Sequence, residues 1–465
     1  MNWIALLLSL TILVATHELG HLAFAKLFHT RVRRYYIFFN WKFSIFKAKK
    51  FDGKWHFLWF NAKTPDSWDE KNLRPEDQDN TLWGLGWIPL GGYCDIAGMI
   101  DETKKEEDLE AIPQPWEYRT KPAWQRLFII SGGVLVNFVS ALLIYAMILF
   151  SWGKDELPLH SATYGYQYHE VMLNEGFQNG DIPLAIDGKA FTRLDSTVKA
   201  LGLDNPKTVT VLRGDTTVDI RLSGNILSNL SKKQAKYVLT PRIPFVVTST
   251  VAGSPADRAG LREGDSLVSF NGEEMLYQDF KEALEKNKGK EATVGFYRDG
   301  ELQSVQLTIS DNGTLGVHFD QDLSHFFDVK HLDYGFFESF PAGISEGWET
   351  LVTYVSSLKM LFQPGGVQNL GGFGAMASLF PDHWNWHAFW NLTALLALIL
   401  AFMNIIPIPG LDGGHILFTL WEIVTRKKPS DKFLTYAQNV GMFLLLALMI
   451  LANGNDLWRW LSQYF

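Results

Sequence analysis

His17-Glu18-Leu19-Gly20-His21 sets two imidazoles four residues apart with a carboxylate beside the first. On a helix, residues four apart share a face, so both rings can grip one metal ion. Glu18 is then placed to take a proton from a water activated by that ion. Zinc suits this set, because imidazoles and carboxylates bind it and it both lowers the pKa of a bound water and polarises a carbonyl. The pattern is short, and in a soluble helix it would describe an exposed polar face equally well. Here it interrupts the apolar run Met1–Phe28. Ionisable groups inside a membrane helix are costly and imply a function.

Two histidines leave zinc short of a third protein ligand and one open position. The lone cysteine, Cys94, excludes a thiolate cluster, an internal disulfide and a CxxC redox pair. The further ligand must lie in or near the membrane, and one segment offers candidates: Asn404-Ile-Ile-Pro407-Ile-Pro409-Gly-Leu411-Asp412-Gly413-Gly414-His415. Pro407 and Pro409 break a helix, and the two glycines free the backbone. Such an element can turn Asp412 inward toward a partner helix. Asp412 can instead cap the next helix, and His415 competes as a ligand.

Four apolar runs must position these groups: Met1–Phe28, about 127–152, about 389–408 and one beginning near 433. A signal peptide is the alternative for the first, but it would need a basic start and a small-residue cleavage site, which Asn2 and Trp3 do not supply. Arg31, Arg33, Arg34, Lys42, Lys47, Lys49, Lys50 and Lys54 follow the first run; Arg119, Lys121 and Arg126 precede the second; Arg426, Lys427, Lys428 and Lys432 separate the last two. Basic loops stay in the cytoplasm, so the N-terminus, the region 153–387 and the C-terminus are expected outside. HELGH and Asp412 then both fall toward the cytoplasmic side. The net charge of −8 is the wrong sign for a global nucleic-acid footprint.

Within the outer region, 245–316 reads as alternating strands and helices. Ser254-Pro255-Ala256-Asp257-Arg258-Ala259-Gly260-Leu261 is a capped helical turn, Asn271-Gly272 is a hairpin signal, and Asp299-Gly300 turns a second hairpin. The AGL–GD spacing resembles that of a PDZ domain. A weaker copy precedes it, since 176–191 parallels 260–275 and 208–223 parallels the later hairpin. Domains of that kind capture extended peptides at a sheet edge; here they would also form a bulky cap. Ile344, Trp348, Leu351, Val355 and Leu358 recur at helical spacing, which predicts an amphipathic helix over 343–362. It would lie at the outer membrane surface or against a PDZ-like domain.

On HELGH at 17–21 and NIIPIPGLDGGH at 404–415, the chain resembles the site-2 protease family of intramembrane zinc metalloproteases, and more closely its bacterial RseP-type members. Trp124-Gln125-Arg126 leading into Ser131-Gly132-Gly133-Val134-Leu135-Val136-Asn137-Phe138 is similar to that group's second span, with Gly133 where a Pro usually stands. Ile88-Pro89-Leu90-Gly91-Gly92-Tyr93 resembles its membrane-associated β-loop. The resemblance implies His17, His21 and Asp412 as zinc ligands and Glu18 as base. It places Asn404 near bound substrate, with Pro407 opening the helix and Gly91, Gly92 and Tyr93 offering a strand edge. One departure is the polar insertion at 48–81, where the family pattern is shorter.

The implied protein is a polytopic α-helical membrane protein with four transmembrane helices and inserted α+β PDZ domains. Its parts would be a first span at 1–28, a cytoplasmic loop with the β-loop at 29–125, a second span at 126–152, PDZ domains at 158–225 and 240–320, a linker with an amphipathic helix at 321–387, a third membrane region with the LDG motif at 388–425, and a fourth span at 433–455. It would cut single-span proteins of the bacterial inner membrane, already trimmed outside, such as anti-sigma factors or signal-peptide remnants. Zinc, the lipid bilayer and these substrates are its expected partners, and nucleic acid is not. Two rivals are a membrane zincin with a glutamate as third ligand and a PDZ scaffold with a vestigial metal site; the Asp412 turn speaks against the first and the intact Glu18 against the second.

Overall fold

Gly20 and Gly132 decide how the first helices meet. The computed structural model describes residues 1–61, 63–69, 72–89, 91–99, 112–233, 235, 237–364 and 366–462. Helix α1 (Asn2–Leu27) crosses α2 (Ala123–Trp152) so closely that a methyl group on Gly132 would lie 2.6 Å from the Gly20 carbonyl oxygen. Between helices in lipid there is no hydrophobic drive, so small residues that let backbones approach are what hold a crossing together.

Both helices belong to the first of two units, Met1–Gly153, Asp333–Val355 and Leu370–Phe465. The other helices used below are α3 (Phe336–Ser357, in this unit as far as Val355), α4 (Trp386–Ile405), α5 (Asp412–Thr425) and α6 (Asp431–Leu461). Among the described residues four helices, α1, α2, α4 and the 432–461 stretch of α6, are long and apolar enough to cross a bilayer. Helix α5 has 14 residues, roughly 21 Å at about 1.5 Å per residue, too short for a core of about 30 Å. Ala141, Tyr145 and Ile148 of α2 share one core with Leu6 and Leu13 of α1 and with Phe389, Ala394 and Leu398 of α4. Arg126, buried at the start of α2, forms an ion pair with Glu422 of α5, which ties that short helix to the same support.

Helix α3 begins at Phe336, ahead of the expected 343–362, and its small residues are the buried ones. Ile344 and Trp348 are more than half exposed, whereas Leu351 packs against the core shared by α1, α2 and α4, and Ser339, Gly343 and Gly347 are buried. A methyl on Gly343 would lie 2.5 Å from the Ala146 amide nitrogen, so the glycines seat α3 on α2. At the far end of α6, Asp456 Oδ2 accepts the amides of Gly372 and Ala375 at 3.0 and 2.9 Å, and Asn453 Oδ1 accepts that of Phe373. These are amides that the short helix Phe373–Ser378 cannot pair internally.

Strands β1 (Val32–Ile37), β2 (Ser44–Phe51), β3 (Lys54–Asn61), β4 (Leu82–Leu85) and β5 (Tyr93–Ile96) form one sheet in the order β3-β2-β4-β1-β5. Only β1 and β4 run parallel; the other neighbours are antiparallel. The Tyr35 hydroxyl donates to the Ala15 carbonyl at 2.7 Å, docking the sheet on α1 one turn from HELGH. The polar insertion supplies the edge strand β3, and Trp68 and Leu73 fold back onto Phe51 and Leu82 as a small core of their own.

The second unit is Lys154–Leu332 with Ser356–Asn369. It holds two sheets of similar plan. One orders its strands 216–221, 208–213, 182–186 and 189–190, with a helix at Leu194–Leu203; the other orders them 301–308, 291–298, 266–270, 245–250 and 317–319, with a helix at Tyr277–Lys286. Each is pinned by the same device. Arg213 grips buried Asp181 at 2.8 and 2.7 Å and the Gly176 carbonyl at 2.9 Å; Arg298 grips buried Asp265 at 2.7 and 2.7 Å and the Gly260 carbonyl at 2.9 Å. The first core is completed by Ile226, Leu230, Leu239, Ile243 and Phe327, which lie beyond residue 225.

Burial alone would raise the Asp265 carboxyl, but the Arg298 hydrogen bonds and the Arg262 amide outweigh it and hold it below the usual carboxylate range. A depressed folded pKa stabilises above the unfolded value of about 3.9 and stops stabilising as pH falls through the folded one. Asp265→Asn is therefore expected to weaken amide-exchange protection of strand 291–298 in the full-length protein by about 1–3 kcal/mol at pH 7. The gap from wild type should close as pH falls below about 4.

Candidate metal centre and substrate cleft

One helical turn separates His17 from His21, and their Nε2 atoms approach to 3.2 Å with the rings edge to face. Helix α2 makes room for them at Gly133, where a methyl group would lie 2.6 Å from both His17 Cε1 and His21 Nε2. His21 Nδ1 is 3.0 Å from the Ile129 carbonyl oxygen. A carbonyl only accepts, so Nδ1 carries the hydrogen and the Nε2 lone pair is left for a metal. His17 Nδ1 lies 3.3 Å from the Asn137 side-chain amide.

Asp412 arrives from the other side. Helix α4 ends at Ile405, Pro407 and Pro409 have no amide hydrogen to continue it, and Gly410 turns the chain with φ +97°. Helix α5 then starts at Asp412, with Leu411 as its N-cap, so the aspartate is the first helical residue and not the cap. Its Oδ2 is buried without a hydrogen-bond partner, 3.2 Å from His17 Nε2 and 3.5 Å from His21 Nε2. Among the described residues this is the one group of three or more His, Cys, Asp or Glu whose donor atoms converge, and His415 is not in it.

The donor set fits zinc. Bonds of about 2.0–2.2 Å in a tetrahedral shell put ligand atoms roughly 3.3–3.5 Å apart, and the three separations are 3.2, 3.2 and 3.5 Å. A cation there would also satisfy the orphaned Asp412 oxygen. Two imidazoles and one carboxylate leave a fourth position open, the pattern of a catalytic site rather than a structural one.

A cavity of about 230 Å³ opens on this cluster. Glu18 lines it beside the histidines, with Asn404 and His415 from the α4–α5 segment. Gly92, Tyr93, Cys94 and Ile96 form another wall. Among the described strands, β5 stands at the end of the sheet order, beside β1. Burial holds the Tyr93 phenol well above its usual value, and its neutral hydroxyl donates to Asn40 Oδ1 at 3.2 Å.

Of the residues expected around substrate, Asn404, Gly92 and Tyr93 reach this cavity, while Gly91 and Pro407 are not among its lining residues. A side chain on Gly91 would instead meet Phe39. Leu90 lies outside the described residues. Sequence reasoning missed the orienting role of α2 and the contributions of Cys94 and of Gln438 from α6. Asn137 carried a usable signal, a carboxamide inside an apolar run; Cys94 carried none.

The family model of peptidase family M50 matches residues 5–60 and 71–448. It passes over only 61–70 of the polar insertion, a narrower departure than 48–81. The chain is 27% identical to the Regulator of sigma E protease of Haemophilus influenzae, covering 97% of this chain and 98% of that one. It is 25% identical to a candidate zinc metalloprotease of Neisseria meningitidis serogroup A, with 99% of each chain covered. A match this extensive, on a chain with four membrane-length apolar helices, identifies an integral membrane protein that belongs to peptidase family M50, the site-2 protease family, as a zinc metalloprotease of the RseP type.

Proposed function

We propose that this zinc metalloprotease carries out regulated intramembrane proteolysis, with His17, His21 and Asp412 as its zinc ligands and Glu18 as its general base. The observation that carries the reading is the convergence of three donor atoms, one of them an orphaned carboxylate oxygen, beside a carboxylate-lined cavity. When bound, zinc supplies the Lewis acidity that activates a water and a scissile carbonyl. Glu18 takes the proton of the attacking water and delivers it to the leaving amine. Asn404 and the cavity wall formed by Gly92 and Tyr93 hold the substrate backbone extended, since both line the space beside the donor cluster. That matters because a helical peptide bond in lipid has its polar groups already paired and must unwind before it can be cut.

Substrates in this reading are single-span membrane proteins trimmed on the outer side, with anti-sigma factors and signal-peptide remnants as the classes in view. The name of the Haemophilus relative, a regulator of sigma E, supports the first class. The distribution of Lys and Arg supports a bacterial inner-membrane protein whose N-terminus, residues 153–387 and C-terminus are periplasmic. Cleavage then falls near the cytoplasmic side. The two repeats of the second unit are read as tandem PDZ domains, supported by their shared strand plan and ion pair.

Alanine at His17, His21 or Asp412 is expected to strip zinc from the purified protein, whereas His415→Ala should keep it. Metal analysis decides this, and zinc retained by Asp412→Ala but lost by His415→Ala would reassign the third ligand. Glu18→Gln should retain zinc yet lower cleavage of a model transmembrane substrate by about 10²–10⁴-fold, the range of a general base. Asn404→Ala is expected to reduce turnover with normal zinc content; zinc loss in that variant would make its role structural.

A further inference from the structure

Asn137 is fully buried at 0% exposure, one turn after Gly133 in the apolar helix α2. A carboxamide there must match a donor end and an acceptor end, because an unpaired polar group in an apolar surround costs about 1–3 kcal/mol. Its two neighbours are both on α1. The Nδ2 end lies 3.3 Å from His17 Nδ1, and the Oδ1 end lies 3.1 Å from Thr16 Oγ1. Which end is nitrogen and which is oxygen follows from the hydrogen-bond network, since the two have nearly the same shape.

The network permits one consistent arrangement once His17 binds metal through Nε2. Nδ1 then carries the hydrogen and can only donate, so the amide must present its oxygen to His17 and its NH2 to Thr16. Thr16 suits that role. Its hydroxyl hydrogen is committed to the carbonyl of Ile12 or Leu13, each at 3.0 Å, and its oxygen remains free to accept. With the amide turned over, every polar atom in the row is matched: His17 Nδ1–H to Asn137 oxygen, Asn137 NH2 to Thr16 oxygen, Thr16 O–H to the α1 backbone.

We infer that Asn137 is a positioning residue that holds His17 in the tautomer whose Nε2 faces the metal, doing through a side chain what the Ile129 carbonyl does for His21. Both histidines of α1 would thereby be oriented by α2. This inference rests on the reading of His17 as a zinc ligand. Asn137 touches neither substrate nor metal in this scheme.

The test is zinc affinity of the purified full-length protein, measured by chelator competition, in Asn137→Leu, Asn137→Ala and Asn137→Asp beside His17→Ala. Outer partners of metal ligands typically contribute 10–100-fold to affinity. The Leu and Ala variants are expected to bind zinc about 10–100-fold more weakly. Asp keeps an acceptor for Nδ1–H and should stay within about threefold of wild type, with an unchanged visible spectrum when cobalt(II) replaces zinc. Either apolar variant holding zinc within threefold, or Asp losing it as far as Leu and Ala do, would overturn the positioning role while leaving His17 a ligand. Zinc retained by His17→Ala would overturn the ligand reading itself, and the inference with it.

Discussion

Two imidazoles and a carboxylate sit among apolar helices, where a polar atom turned away from the cavity needs a protein partner in place of water. The close approach of α2 to α1 meets that need. At Gly20, Gly132 and Gly133 the helices lack side chains, and the backbone of one reaches the functional side chains of the other. The Ile129 carbonyl and the Asn137 amide stand at the two ring nitrogens that face away from the cluster. A bulkier residue at Gly133 would occupy the space of the imidazoles, so the helix crossing and the site are one constraint.

From α2 the rest of the first unit is built outward. Its C-terminal half packs α4 through Ala141 and Tyr145 and seats α3 against Gly343 and Gly347. Its first turn holds α5 through Arg126 and Glu422. That ion pair lies on the same 14-residue helix that begins with Asp412, so the third donor is anchored at both ends of its element. The sheet joins through Tyr35 and Ala15, which brings the edge of β5 to the cavity. Acidic and imidazole groups, the end strand of the sheet and the Asn404 carboxamide thus meet around a space of about 230 Å³.

The second unit relies on different physics. Its two repeats are small α+β structures with separate apolar cores, and each closes its strand plan with an arginine on a buried aspartate. The pair satisfies two otherwise costly groups and adds a backbone carbonyl to the same fork, which is what a guanidinium does and a lysine cannot. The recurrence of this fork at Asp181 and Asp265, with low sequence similarity around it, marks the repeat more clearly than the apolar pattern does.

The sequence by itself determined the chemistry that depends on local spacing. HELGH puts two rings on one helix face at any depth, and clumped apolar runs dictate membrane-length helices because lipid leaves the backbone no other way to be paired. The proline-broken Asp412 segment was legible for the same reason, since proline and glycine act on their own backbone. What only tertiary structure decided was which remote groups come within a hydrogen bond. Asp412 and His415 are three residues apart and chemically eligible alike, and it is the Asp412 carboxylate, at the start of α5, that converges with the two imidazoles. The face that α3 turns to α2 was likewise decided by where a neighbour could approach: Gly343 and Gly347 meet α2, while Ile344 and Trp348 stay exposed. Asn137, Cys94 and Gln438 sit at the site because helices and a sheet distant in sequence pack there, and that packing is a property of three-dimensional contact that no local spacing records.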